Sequence, residues 1–289
     1  MTSLLVTDRN QNCVLQYDYT TGAYINTPIL QGSGTTALVR PSGIAVDSKN
    51  NVYVASITRH AILKYAFPAL TPSFFCDVGS GNEPYGLLFD DDGNLYVAIA
   101  TAARPGGSVQ RFTAAGALDT TWAAANGEMS QPRGMEFDSD GNLYVAAFGT
   151  HRVVKFDPTG AYVREYAPIL NPYDIEILDY DGKEMLWVSA TGIGVVGFQA
   201  QYPNNPVGGH VQIWSIDGGF FELFGGGGPV PLASGILEGP GGENYLYLAS
   251  GHGFSINNYD DFGQFQGVFA SGGGLGQPDF MVEWIGTGS

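Results

Sequence analysis

Short apolar runs separated by turn residues recur along this chain, and they recur as a phrase. The phrase is Pro-x-Gly or a relative of it, an apolar run, a turn rich in Asp, Gly and Asn, and a second apolar run resembling LYVA. It stands as PSGIAVDSKNNVYVA from Pro41, PYGLLFDDDGNLYVA from Pro84 and PRGMEFDSDGNLYVA from Pro132. Looser copies follow as PYDIEILDYDGKEMLWVSA from Pro172 and ASGILEGPGGENYLYLA from Ala233. Two short apolar runs around a turn that supplies positive φ predict a β-hairpin. A third run comes after each hairpin (AILKY, SVQRF, RVVKF, VQIW and FSINNY), and a fourth follows a Gly-containing turn, as in AYVREY and FFELF. Four antiparallel strands per repeat predict the blade of a β-propeller.

The second positions of the phrase are Ser42, Tyr85, Arg133, Tyr173, Ser234 and Asp279, separated by 43, 48, 40, 61 and 45 residues. This matches the roughly 40–50 residues of a propeller blade. One all-β domain therefore fills residues 1–289. The last copy, PDFMVEW from Pro278, supplies only a first strand, while the chain opens on SLLVTD, VLQYD and AYINTP, which fit a second, third and fourth. Joined, they predict a sixth blade that closes the ring and removes an open sheet edge.

GIAVDSKNNVYVA, GNLYVAIA and GNLYVAAFGTHRVVKF resemble the NHL-repeat propellers, most strongly in the copies from Pro41, Pro84 and Pro132. The resemblance spans essentially the whole chain and implies a six-bladed β-propeller whose first strands line a central channel. Related hairpins occur in gluconolactonase-type propellers and amidating lyases, so the likeness implies a fold more than an activity. It also implies that the x residues of Pro-x-Gly ring one mouth of the channel, on the same face as the loops joining second to third strands.

The ring of candidate ligand contacts is thus Ser42, Tyr85, Arg133, Tyr173, Ser234 and Asp279, with Arg133 opposite Asp279 and a tyrosine on each side of Arg133. A polar mouth rimmed by aromatic rings suits a small polar or carbohydrate-like ligand, or a protein partner. Two insertions, Thr191 to Gly209 and Ala100 to Gly107, belong to the same face and are candidates to wall it.

All four histidines, His60, His151, His210 and His252, fall near the start of third strands. Imidazoles gathered on one face offer a zinc site or a general base, while a histidine there is also a common NHL-repeat residue. Gluconolactonase-type propellers hold a divalent metal through a Glu and through Asn or Asp at the x of their turns. Here those positions hold Ser42, Tyr85, Arg133, Tyr173 and Ser234, and only Asp279 is a carboxylate; Asn82 and Glu83 precede one turn. The Asp-Gly-Asn triplets at Asp92 and Asp140 carry a hint of calcium, but hairpin chemistry accounts for them. No catalytic residue is assigned, and no cofactor is expected, with Zn or Ca as the alternative.

Glycine (42 residues), proline (16) and 13% aromatics suit many short strands. The balance of 28 carboxylates against 12 Lys and Arg gives a charge of −16, which repels a phosphate backbone and an anionic membrane. Cys13 and Cys76 are too few for a disulfide framework. The N-terminus lacks the basic start and apolar run of a secretory signal, which makes the cytoplasm the default location. The uncharged stretch after Met185 carries Pro203 and Pro206 and is expected to be a loop. These features point to a non-enzymatic propeller that binds a ligand or protein partner at the channel mouth. A metal-dependent, lactonase-like hydrolase or lyase is the second class. A structural component of an extracellular or virion assembly is the third, compatible with abundant glycine and few lysines.

Overall fold

The computed structural model describes residues 2–29, 32–101, 106–124, 129–191, 209–224, 233–240, 246–251, 253–260 and 264–285. The chain opens with three strands, β1 (Thr2–Asp8), β2 (Cys13–Asp18) and β3 (Tyr24–Ile29). The blade from Pro41 comprises β4 (Pro41–Val46), β5 (Val52–Ser56), β6 (Ala61–Ala66) and β7 (Thr71–Asp77). The next comprises β8 (Asn82–Phe89), β9 (Leu95–Thr101), β10 (Gly107–Phe112) and β11 (Leu118–Ala124). It is followed by β12 (Pro132–Phe137), β13 (Leu143–Ala147), β14 (Arg152–Phe156) and β15 (Tyr162–Tyr166). Then come β16 (Pro172–Asp179), β17 (Glu184–Ala190), β18 (His210–Ser215) and β19 (Phe220–Phe224). The fifth full repeat is β20 (Ala233–Glu238), β21 (Leu246–Ser250), β22 (Ser255–Tyr259) and β23 (Phe265–Ala270), and the last strand is β24 (Pro278–Ile285).

These strands form six four-stranded antiparallel sheets, the last ordered β24-β1-β2-β3. The first strands β4, β8, β12, β16, β20 and β24 each touch the next, and β24 touches β4, so the sheets stand around one axis as a six-bladed β-propeller. The expected joining of the two chain ends is present. β24 pairs along β1 from Ile285 opposite Thr2 to Pro278 opposite Asp8, with one bulge.

The core lies between blades, which explains why LYVA-like runs are apolar at every position rather than at alternate ones. Side chains of a strand alternate between its two faces, and a strand covered on both faces reads as a continuous apolar run. In β5, Val52 and Val54 pack with Leu5 and Val14 of the blade closed by β24. Tyr53 and Ala55 point the other way, to Leu87 and Val97. Each fully buried aliphatic side chain contributes about 1.5–3 kcal/mol of transfer free energy, so every interface helps hold the ring.

Two local devices set the geometry near the axis. The hairpin turns are organised by the aspartate that opens them. Asp138 accepts hydrogen bonds from the Asn142 backbone and side chain, the Tyr144 hydroxyl and Lys155 Nζ, and Gly141 adopts φ 79°. Asp90 and Asp47 repeat the arrangement, with Asn50 at φ 65° in the glycine's place. This accounts for the Asp-Gly-Asn triplets as turn chemistry. The second device is the glycine of Pro-x-Gly, which is needed for close approach. A Cβ at Gly43 would overlap the Tyr85 carbonyl, and one at Gly86 would overlap that of Arg133. At each such phrase the first strand slips register against the second, as between Pro84 and Leu87 or Pro132 and Met135. The bulge turns the x residue out of the ladder and toward the mouth.

Candidate functional site

The bulges bring the six x residues to one end of the channel, all of them buried. The serines are engaged by neighbouring backbone. Ser42 Oγ donates to the Pro84 carbonyl at 2.9 Å, and Ser234 Oγ lies 3.0 Å from the Pro278 carbonyl. These hydroxyls tie one blade to the next. Tyr85, Arg133, Tyr173 and Asp279 form a second, electrically active group.

Arg133 Cζ sits 3.4 Å from the centroid of the Tyr85 ring, a stacked guanidinium, and 5.8 Å from that of Tyr173. Both tyrosines therefore flank it, as the blade order implies. Phe148 supplies a third ring at 5.1 Å. Asp279, on the opposite blade, is engaged by other residues: the Tyr173 hydroxyl donates to Oδ1, and Arg9 forms an ion pair with Oδ2. The same Arg9 Nη2 donates to the Tyr173 hydroxyl at 3.0 Å and its guanidinium lies 5.6 Å from the Tyr85 centroid. Burial disfavours the Arg9 charge, but Asp279 and the two tyrosines more than offset it, so Arg9 is held firmly protonated. Burial raises the Tyr173 hydroxyl pKa and keeps it a donor.

Among the described residues, Arg133 has no such carboxylate. It is 9% exposed, and both Nε and Nη1 are buried without a hydrogen-bond partner among them. Buried guanidinium groups are ordinarily paired, since an orphaned charged donor forfeits hydration without compensation. Glu83, the other carboxylate nearby, accepts from the Tyr85 hydroxyl at 3.3 Å.

Arg9, Phe148 and Ile57, which packs on Tyr85, are absent from the ring predicted from the repeat. All three lie between second and third strands, at or just beyond the end of the LYVA-like run, so these loops share the mouth with the x residues. The signal was positional: the residue after VYVAS is Ile57, that after LYVAA is Phe148, and that after SLLVTD is Arg9.

Two of the histidines, His60 and His151, serve the backbone. His60 and His151 adopt the left-handed conformation, φ 55° and 60°, and end the short 3-10 turns at Ile57–Arg59 and Phe148–Thr150. His60 Nδ1 is 2.6 Å from the Asn82 carbonyl, and His151 Nδ1 accepts from Asn171 N at 3.3 Å. His210 begins β18, where burial pushes its imidazole down to about 4. His252 lies outside the described residues, as do 102–105 and 192–208 of the two insertions. Among the described residues, no three His, Cys, Asp or Glu side chains are placed to hold a metal ion. No helix among them is long and apolar enough to cross a membrane.

Farther along the channel lies a cavity of about 280 Å³ lined by one residue after another of the inner strands, Ile44, Leu87, Met135, Ile175, Ile236 and Met281. Three carboxylates, Glu136, Asp174 and Glu176, also line it. Burial pushes Glu136 up to about 7 and raises Asp174 and Glu176, and for the latter two the neighbouring carboxylates reinforce it.

No protein-family profile matches the chain, and no curated protein matches it in sequence. Solved structures do match its fold. A protein of unknown function from Bacteroides caccae superimposes with a TM-score of 0.71 at 13% identity, over 98% of each chain. The propeller in a Nidogen/Laminin complex gives 0.72 at 12% identity over 99% of each. Virginiamycin B lyase from Staphylococcus aureus gives 0.59 at 17% identity, covering 97% of this chain and 78% of that one. One of these proteins has no assigned role, one is held in a protein complex and one is a lyase, so what they share with this chain, and what they establish for it, is the architecture of a six-bladed β-propeller.

Proposed function

We propose that this chain is a recognition propeller of the NHL-repeat kind, binding a ligand or a protein partner at the mouth formed by Arg9, Tyr85, Arg133, Tyr173 and Asp279. One observation carries the reading: a guanidinium enclosed by aromatic rings, with two buried nitrogens facing no acceptor among the described residues. The described side chains around it supply rigid rings and donors but no answering acceptor, a half-complete arrangement of the kind that binding sites present. The propeller found in complex with laminin is a precedent for this architecture in protein recognition.

The test is a chemically mixed fragment set screened by NMR against protein labelled with ¹⁵N-arginine, alongside a Tyr85→Ala/Arg133→Ala double variant. Fragments are expected to move the Arg133 or Arg9 Nε resonances and to lose binding in the variant. Hits that leave those resonances unchanged and bind the folded variant equally well would place recognition elsewhere.

A further inference from the structure

Resting on that reading of the mouth, we infer the chemical class of what it takes: a carboxylate, seated against the Arg133 guanidinium between the rings of Tyr85, Phe148 and Tyr173. The two arginines of the mouth are in different states. Arg9 has its counter-ion, since Asp279 and the Tyr173 hydroxyl both engage its Nη2, although its buried Nε meets no acceptor among the described residues. Arg133 is nine-tenths buried and, among the described residues, forms no ion pair and leaves Nε and Nη1 without an acceptor. The face of its guanidinium is taken by Tyr85 at 3.4 Å, so what remains for a ligand is the edge of the plane, which carries the buried Nε and Nη1. A planar two-oxygen acceptor is the group that matches such an edge, through paired N–H···O bonds.

Charge decides between acceptors. The Arg133 guanidinium offers one positive charge, and its surroundings add no second: Arg9 is balanced by Asp279, and Glu83 brings a further carboxylate. A phosphate monoester near neutral pH, carrying roughly −1.5 to −2, would bring more charge than Arg133 balances. A carboxylate brings one. The apolar edges of Phe148 and Tyr173 favour a carboxylate attached to a flat or aliphatic body over a bare ion. The same group reaches such a site either as a free small carboxylate or on a polypeptide, as an acidic side chain.

Benzoate, neutral benzamide, inorganic phosphate and the blocked dipeptide acetyl-Gly-Asp-amide distinguish these cases. Each is titrated into ¹⁵N-arginine-labelled protein while the Arg133 Nε–H resonance, assigned by its loss in Arg133→Lys, is followed. Benzoate or the dipeptide is expected to shift that resonance saturably, with at least ten times the affinity of benzamide and of phosphate. Arg133→Gln, checked for a native ¹H-¹⁵N spectrum, should lose the binding. Tighter binding of the dipeptide assigns the site to a polypeptide carboxylate, tighter binding of benzoate to a free one. If benzamide binds as well as benzoate, the mouth is a site but the carboxylate assignment is wrong. If phosphate binds best, the anion class is wrong. If none of the four moves the resonance while the mixed fragments still do, only this inference fails; if neither does, the mouth is no binding site.

Discussion

Gly134 of β12 and the Asp174 carboxylate of β16 occupy one space at the channel wall: a Cβ at 134 would overlap Asp174 Oδ1. The glycine of one blade makes room for the acid of the next. Overpacking of this kind costs about 1–3 kcal/mol. Gly134→Ala is therefore expected to lower the urea midpoint at unchanged m-value. Adding Asp174→Gly, which restores glycine at the third position of that blade's phrase, should recover part of the loss. Full stability in Gly134→Ala alone would show that the inner strands are farther apart than described.

The channel acids give stability a definite pH dependence. A carboxyl whose pKa is raised on folding stabilises the protein below its unfolded pKa and loses that contribution as pH rises through the folded value. Glu136, pushed up to about 7 from 4.5, should lose its contribution between roughly those limits, with Asp174 and Glu176 acting in the same direction. His210, pushed down to about 4 by burial, works in the opposite sense over an overlapping range. Asp47 and Asp138, held low by the hydrogen bonds of their turns against the effect of burial, are lost only as pH falls below the usual carboxylate range. The difference in melting temperature between wild type and Glu136→Gln isolates the first term. It should change steadily in favour of the variant between pH 4.5 and 7; a difference independent of pH would contradict the burial of these acids.

The mouth residues divide into ties and contacts, and the division is measurable. Ser234→Ala removes a hydrogen bond from β20 to the Pro278 carbonyl of β24 and is expected to cost about 1 kcal/mol. Its affinity for any mouth ligand should be unchanged. Arg133→Gln should do the reverse, since its Nε and Nη1 make no hydrogen bond to the described residues. A large loss of affinity in Ser234→Ala would merge the two groups.

Ring closure rests on the pairing of β24 with β1, which also satisfies Thr7 through the Phe280 backbone. Ending the chain before Pro278 would leave β1 as an open edge and uncover Leu5 and Trp284's neighbours in the core. Such a protein is expected to aggregate or to melt non-cooperatively, as followed by light scattering and circular dichroism. A soluble, cooperatively folded truncation would argue against closure through the chain ends.

The repeat made the ring legible because blades share one backbone geometry: Pro41, Pro132, Pro172 and Pro278 each open an inner strand, and Pro84 stands two residues into β8. The phrase located Arg133 and both tyrosines for the same reason. Pairing across the mouth was not legible. Arg9 sits in the blade assembled from both chain ends, where no copy of the phrase flags it, and its bond to Asp279 spans nearly the whole chain. The serines looked equivalent to the other ring members by position; only the neighbouring carbonyls, Pro84 and Pro278, distinguish them. The histidines looked like a constellation because they share a loop, whereas backbone conformation at His60 and His151 accounts for their spacing.

The most direct measurement is a crystal structure of the full chain grown with benzoate and compared with crystals grown without it. A carboxylate oxygen is expected within about 3 Å of Arg133 Nε or a terminal guanidinium nitrogen, with the body of the ligand against Phe148 or Tyr173. Arg133 found paired with a carboxylate of its own chain, and the ligand absent from the mouth, would contradict it.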